Sequence, residues 1–255
     1  MILALVAIIA LVMGSFAGCI SYRLGNSESI FNRSKCPKCN KILGVFNLIP
    51  LFSWLLQKGK CSNCKKKISW RYPFIELFFC VTFFVIYFLR HQQIDCRLVL
   101  LCLIATTMII MAIIDIEKYF IPNSLQIILA ILVAILIFFD GGKALLIANL
   151  GAAAVYCAFG LMLFGLFYFV SHIEALGVDD IKFFAVAGLM LGFSKFLAFI
   201  LLVGIFGVVF GAVWEKLAKD DTFPFAPALC LSAFITYFIS NQFNMVDWLA
   251  KVLFS

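Results

Sequence analysis

The sequence has little charge, and only one loop near its N-terminus is long enough to carry a soluble domain. Of its 255 residues, 13% are charged and 65% are hydrophobic, and the mean hydropathy is +1.11. A soluble domain of this length is nearer half apolar. The apolar excess excludes an ordinary soluble enzyme and predicts an all-α protein with several membrane spans.

Basic residues are missing from the start of the chain. No Lys or Arg precedes Arg23, whereas a secretory signal needs a basic region before its apolar stretch. We therefore interpret residues 1–20 as an uncleaved first transmembrane helix whose N-terminus lies on the outer side of the membrane.

Eight apolar segments are predicted to be membrane spans. They are residues 1–20, 73–89, 98–114, 121–139, 144–170, 182–191, 196–213 and 227–240. Residues 182–191 are shorter than the ~20 residues that a span needs. The chain is thus expected to be divided into a first transmembrane helix (1–20), a cytoplasmic loop (21–72) and a helical membrane domain (73–255).

The distribution of Lys and Arg sets the predicted orientation. With the N-terminus outside, four segments lie in the cytoplasm: 21–72, 115–120, 171–182 and 214–226. They contain 15 of the 20 Lys and Arg residues. The loops on the other side contain the remaining five, so the bias supports this topology.

The cytoplasmic loop contains two CxxC pairs, Cys36 with Cys39 and Cys61 with Cys64. Each CxxC turn directs two sulfurs at one centre, so two turns give four thiolates in a tetrahedral set suited to zinc. Six lysines beside the pairs would offset the thiolate charge: Lys35, Lys38, Lys60, Lys65, Lys66 and Lys67. We predict a structural zinc knuckle, because four thiolates leave no open position for catalysis.

Carboxylates stand at the ends of two predicted spans. Asp115 follows an unbroken apolar run, and Glu174, Asp179 and Asp180 precede another, with Lys182 two residues further on. An ionisable residue at such a place is a functional candidate. A charge that marks the membrane interface, or a solvated turn, explains these positions equally well. The predicted topology brings both groups to the cytoplasmic face.

Several segments together resemble the bacterial type IV prepilin peptidases, which are GxGD-type membrane aspartic proteases that also N-methylate their product. The matching segments are GSFAGCISYRL (14–24), both CxxC pairs, NLIPLFSWLLQKGKC (47–61), ISWRYPFIELF (68–78), IDIEKYFIPN (114–123), GVDDIK (177–182) and PFAPALCLSAF (224–234). They run in order over most of the chain, so the match is specific although each segment alone is weak.

The second motif of that family is Gly-x-Gly-Asp-x-Lys. Aligned on Gly177 and Lys182, its aspartate falls on Asp180 and its second glycine falls on Asp179. The first motif often ends in Asp after Pro, where this chain has Asn123. The sequence therefore departs from the family pattern at two positions, and Asp179 is interpreted as a tuning or turn residue.

The resemblance implies that Asp115 and Asp180 form a catalytic dyad. Two neighbouring carboxyls share a proton, so the ionised one can activate water while the protonated one polarises the scissile carbonyl. The implied substrate is a prepilin or pseudopilin with a short basic leader, a glycine before the cut and an apolar helix after it. Cleavage is expected at the cytoplasmic face of the bacterial inner membrane, by a multi-pass enzyme in the lipid bilayer.

The resemblance also implies methyl transfer from S-adenosylmethionine to the new N-terminus. The residues that bind this cofactor are unknown from the sequence. Arg71 and Glu76 are plausible members of the site, but an interface anchor and a helix-start charge explain them equally well. Nucleic acid is not an expected partner, and the oligomeric state is left open.

Two other classes of protein fit parts of the pattern. A membrane thiol oxidoreductase would use the CxxC pairs for redox chemistry, but it would carry them on the outer side. An ion or proton carrier would place its carboxylates near mid-membrane, whereas Asp115 and Asp180 stand at the ends of predicted spans.

Overall fold

The structure, a computed structural model, describes residues 1–29, 32–36, 38–171, 177–218 and 223–242. These residues are mainly helical and contain no β-strand beyond two isolated bridges, Lys35 with Ile42 and Lys60 with Lys67. The predicted all-α fold class is confirmed.

Within the described ranges, eight α-helices follow one another: α1 (Ile2–Gly25), α2 (Phe52–Leu56), α3 (Arg71–Leu89), α4 (Cys96–Lys118), α5 (Asn123–Ser171), α6 (Val178–Leu191), α7 (Phe196–Ala218) and α8 (Ala226–Gln242). Short 3₁₀ turns at Val45–Leu48 and Phe193–Lys195 precede α2 and α7. Each predicted span overlaps one of these helices, and two of the spans fall on α5.

Among the described residues, five helices are long and apolar enough to cross a membrane, namely α1, α3, α4, α5 and α7. Because α5 is interrupted at Gly141 and Gly142, it accounts for two of the eight predicted spans, and only the predicted spans 182–191 and 227–240 fall on helices that are not among these five. Helices α6 and α8 have only 14 and 17 residues, fewer than the ~20 that cross a bilayer without tilt or thinning.

The 49-residue segment α5 consists of two helices that meet at Gly141 and Gly142, which have non-helical backbone angles. Gly142 has φ +65°, a left-handed conformation that glycine adopts without steric cost. The bend lies between the predicted spans 121–139 and 144–170. The sequence DGGK at 140–143 thus marks a real interruption of the helix.

The chain forms two compact units, Met1–Thr106 and Thr107–Ser255. They are called unit 1 and unit 2 below. The predicted division at residues 20 and 72 separates segments by their expected position relative to the membrane, whereas the two units are defined by internal packing. The predicted division therefore stays a prediction.

In unit 1, α1 packs closely against α3. A Cβ on Gly14 would lie 2.7 Å from the Cα of Glu76, so only glycine permits this approach. One turn later, the guanidinium of Arg71 donates hydrogen bonds to the carbonyl of Gly18 at 3.0 Å and to the hydroxyl of Ser21 at 2.8 Å. Arg71 therefore joins α1 to α3.

In unit 2, α6 packs against the second half of α5. A Cβ on Gly188 would lie 2.8 Å from the Cα of Ala153, so small residues on both helices permit the contact. The Asn149 side chain donates to the carbonyl of Leu189 at 2.8 Å, and the Tyr156 hydroxyl donates to the carbonyl of Gly192 at 3.1 Å. These contacts fix the C-terminal end of α6.

Candidate active site and metal centre

Asp115 lies in the last turns of α4 and is 7% exposed. Its Oδ2 accepts a hydrogen bond from the backbone N–H of Ala226 at 2.8 Å, and the N–H of Phe225 also donates to this carboxyl. Ala226 is the first residue of α8. The first N–H groups of a helix have no partner within it, so the start of α8 orients Asp115. Because the donor is a backbone N–H, no residue type in the sequence predicts this partner of Asp115.

Asp180 lies in the first turn of α6, where Gly177 is the N-cap. Its Oδ2 accepts a hydrogen bond from the backbone N–H of Gly177 at 3.0 Å, as the carboxylate does in a capping box. A Cβ at Gly177 would approach the same oxygen to 3.2 Å. Glycine at this position therefore leaves room for the carboxyl that caps the helix.

Asp115 is close enough to both Asp179 and Asp180 for their charges to interact. The pKa of Asp180 is raised to about 7, first by burial and then by the charges of Asp115 and Asp179. The hydrogen bond from the Gly177 N–H acts in the opposite direction and lowers this pKa. Asp115 and Asp180 also interact electrostatically with Cys230 on α8. The structure thus brings together the two aspartates that the sequence motifs select, with one carboxyl disposed to keep a proton at neutral pH.

Asp179 has different partners from its neighbour. Its Oδ1 lies 2.8 Å from the ammonium of Lys182, which also donates to Oδ1 of Asn123 at 2.7 Å. One turn along α5, the Gln126 amide donates to the backbone carbonyl of Asp179 at 2.9 Å. These bonds tie the first turn of α6 to the first turn of α5. Glu174, the other acid of this cluster, lies outside the described residues.

The four predicted zinc ligands converge in unit 1. The Sγ atoms of Cys36, Cys39, Cys61 and Cys64 all lie within 4.8 Å of one another, and those of Cys36 and Cys64 are 4.0 Å apart. Four sulfurs bonded tetrahedrally at ~2.3 Å lie about 3.8 Å apart. The set therefore fits a zinc ion with only a small contraction.

The two CxxC turns have the same backbone arrangement. The N–H of the first cysteine donates at 2.9 Å to the carbonyl five residues later, from Cys36 to Lys41 and from Cys61 to Lys66. The residue after the second cysteine has positive φ in both turns: Asn40 (56°) and Lys65 (58°). An isolated antiparallel bridge flanks each turn. This repetition presents two pairs of thiols to one centre.

A cavity of about 630 Å³ lies in unit 1 among residues of α1, α3 and the intervening loop. Glu76 lines it and is 6% exposed. Trp54 also lines it, and its buried Nε1–H has no hydrogen-bond partner in the described part of the chain. Arg71 is absent from the lining, because its guanidinium holds α1 to α3.

Comparison with known proteins agrees with this arrangement. Residues 8–90 match the bacterial peptidase A24 N-terminal domain, and residues 102–212 match the type IV leader peptidase family. No solved structure is significantly similar.

Three relatives bear the name prepilin leader peptidase/N-methyltransferase. That of Bacillus subtilis is 32% identical over 247 residues, which is 94% of this chain and 95% of the relative. That of Neisseria gonorrhoeae is 31% identical over 96% of this chain and 93% of its own. That of Legionella pneumophila is 29% identical over 85% and 75%. The chain therefore belongs to the type IV leader peptidase family.

Proposed function

We propose that this protein removes the leader from type IV prepilins or pseudopilins with Asp115 and Asp180, and then N-methylates the new N-terminus. Family membership supports the two activities. The observation that carries the peptidase assignment is the electrostatic contact between two carboxyls, each oriented by a backbone N–H at the start of a helix. An interface charge or a solvated turn would not need two such acids to converge.

In the proposed hydrolysis, Asp180 holds the shared proton and Asp115 acts as the base. Asp115 takes a proton from water as the water oxygen bonds to the scissile carbonyl carbon, and Asp180 gives its proton to the carbonyl oxygen. When the tetrahedral intermediate collapses, the C–N bond breaks, the amine receives the proton from Asp115, and the carbonyl proton returns to Asp180. The raised pKa of Asp180 supports this division of roles.

The proposed site lies at the cytoplasmic face of the bacterial inner membrane. The excess of Lys and Arg in the segments assigned to the cytoplasm supports this orientation, and 11 of their 15 basic residues lie in residues 21–72. A substrate with a basic leader and an apolar helix would keep its leader in the cytoplasm and its helix in the bilayer. The apolar outer faces of α5 and α7 are suited to contact with lipid or with such a helix.

Zinc, if bound, would be held by Cys36, Cys39, Cys61 and Cys64, whose sulfur spacing fits a tetrahedral ion. It would supply a cross-link between the two CxxC turns, and it takes no part in the hydrolysis. S-adenosylmethionine is the proposed methyl donor. Both cofactors follow from the donor set and the family rather than from a bound ligand.

The test is incubation of the purified enzyme with a prepilin, with and without S-adenosylmethionine, followed by mass measurement. Loss of the leader and gain of a methyl group are then recorded separately. We expect Asp115→Asn and Asp180→Asn to abolish cleavage while the protein still inserts and folds. Normal cleavage by Asp180→Asn, together with loss of cleavage in Asp179→Asn, would contradict the proposed dyad.

A further inference from the structure

We propose that the cavity in unit 1 binds S-adenosylmethionine, with Glu76 facing its positive charge and Trp54 facing its purine. This inference rests on the proposed methyl transfer and assigns it a site. The volume of about 630 Å³ lies within the 300–1,000 Å³ of small-molecule pockets. Its lining combines aromatic and aliphatic side chains with many polar and charged ones, which suits a ligand that is itself polar and charged.

Glu76 gives the cavity a buried negative charge. Its Oε2 accepts the N–H of Leu51 at 2.7 Å, and the Ser15 hydroxyl also donates to it. Both donors are neutral, and no Lys or Arg of the described chain forms a salt bridge with it. A buried carboxylate without a cationic partner is costly. Three basic residues also line the cavity: Arg23, Arg33 and Lys35. A ligand with a sulfonium or an ammonium group would place a positive charge directly beside Glu76.

The backbone around Glu76 is shaped for this contact. Leu51 has φ +57°, an uncommon conformation for a non-glycine residue, and its N–H is the donor to Glu76. Strained backbone persists where the surroundings hold it, and it is frequent at functional sites. On the other side of the carboxyl, Gly14 allows α1 to approach the Glu76 backbone. The carboxyl is therefore fixed in place before any ligand arrives.

Trp54 contributes an unused donor and a flat apolar surface. Its Nε1–H is buried without a partner, although a buried donor is normally paired. The centroid of its ring lies 4.2 Å from that of Trp70, with the two planes tilted by 52°, and Gly59, at φ +65°, lies against the six-membered part of the indole. A purine could stack on the indole while one of its ring nitrogens, or a ribose oxygen, accepts the N–H.

The cofactor supplies a methyl group on a sulfonium: the amine lone pair forms the N–CH₃ bond as the S–CH₃ bond breaks, and the amine loses a proton. Glu76 would attract the sulfonium and can accept that proton. Arg23, buried and also part of the lining, faces the same space. The cavity thus contains groups of both charge signs, as the zwitterionic amino-acid portion of the donor requires.

The experiment measures binding of S-adenosylmethionine and S-adenosylhomocysteine to the purified full-length protein by calorimetry. Glu76→Gln should weaken S-adenosylmethionine about tenfold or more, and S-adenosylhomocysteine less, because only the former has a sulfonium. Trp54→Phe, which keeps a ring and removes the N–H, should weaken both ligands to a similar degree. Both variants should still cleave prepilin, which shows that they are folded.

Trp214→Phe is the matched control. Trp214 also has a buried Nε1–H without a partner in the described chain, but it lies in unit 2 and does not line the cavity. We expect wild-type affinity for both ligands. If Glu76→Gln and Trp54→Phe bind both ligands as the wild type does, the inference is wrong. A wild-type enzyme that cleaves prepilin but binds neither ligand would also overturn it, while the peptidase proposal would stand.

Discussion

Asp179 and Asp180 are adjacent in sequence but differ in their surroundings, since successive residues of a helix point about 100° apart. Both acids interact electrostatically with Asp115, but Asp179 pairs with Lys182, whereas Asp180 accepts the Gly177 N–H and caps the helix. The motif alignment selected Asp180 by position alone. The structure adds a physical difference between the two acids, and the choice of Asp180 stays a prediction until it is tested by mutation.

Replacement of Asp179 by glycine tests this difference. Loss of its charge should lower the pKa of Asp180, because a neighbouring carboxylate disfavours ionisation. We expect an active enzyme whose alkaline limb, assigned to Asp180, moves down by a fraction of a unit in a pH–rate profile. The shift is small because Lys182 already offsets part of the Asp179 charge. An inactive but folded Asp179→Gly enzyme would show that Asp179 itself carries chemistry.

A double variant separates charge from backbone effects. The Lys182 ammonium also contacts Asn123, at the start of α5. In the double variant Asn123→Asp with Asp179→Gly, the new carboxylate at position 123 would therefore replace the one lost at position 179 as the partner of Lys182. The profile of the double variant should move back toward that of the wild type. Lys216→Met, which removes an exposed lysine at the end of α7, is the charge control. Purely additive effects of the two substitutions would exclude a shared role through Lys182.

Asp180 should also make stability depend on pH. Its folded pKa of about 7 is above the ordinary 3.8, so the folded state loses stability as pH rises from about 4 to about 7. Asp180→Asn removes the ionisation and can still accept the Gly177 N–H. We expect the variant to melt at a higher temperature than the wild type at about pH 8. The difference should shrink toward about pH 4, and a difference of equal size at both pH values would contradict this account.

At the scale of elements, the four-cysteine cluster was the part of the candidate sites that the sequence predicted best. A CxxC turn is local, so spacing alone predicts its geometry. Two contacts could not be predicted from the sequence. They are the hydrogen bond from the N–H of Ala226 to Asp115, and the position of Trp54 in the cavity wall. Each depends on contacts between distant segments, and a backbone donor leaves no residue-type signal.

Substitution of any zinc ligand by serine should lower the metal content and the amount of folded protein together. Three sulfurs cannot complete the tetrahedral set, and binding of a structural zinc contributes directly to folding. The measurement is zinc analysis of purified protein alongside its yield, with Cys96→Ser as the control because Cys96 is exposed and outside the cluster. Active wild-type enzyme without zinc would refute the structural role.

The contact between α1 and α3 gives a second test at this scale. Gly14→Ala places a methyl group 2.7 Å from the Cα of Glu76, and a backbone atom cannot move aside cheaply. Gly18→Ala is the control, since its added methyl would meet Tyr72 and Ile75 at ordinary distances of 3.7 and 3.8 Å. We expect Gly14→Ala to lower the melting temperature and S-adenosylmethionine affinity, and Gly18→Ala to have little effect. Equal behaviour of the two variants would show that the close approach is unimportant.

For the whole molecule, composition and apolar runs predicted the helical class and the position of every described helix except the five-residue α2. They also predicted the break within α5, because the non-helical residues Gly141 and Gly142 lie between the predicted spans 121–139 and 144–170. They could not predict the division at residue 106, within α4. A compact unit is defined by packing between segments, which an apolar run does not encode.

The two compact units contain one candidate site each, so the two activities should be separable. Methyl transfer needs a free N-terminal amine, which exists only after cleavage. Asp115→Asn should therefore fail to process a prepilin but should still methylate a mature pilin peptide that begins at the cut site. Glu76→Gln should do the reverse, releasing the leader and leaving the new N-terminus unmethylated. Mass measurement of both peptides with both variants decides this. Failure of folded Asp115→Asn to methylate the mature peptide would mean that unit 2 takes part in the transfer and that the cavity alone is not sufficient.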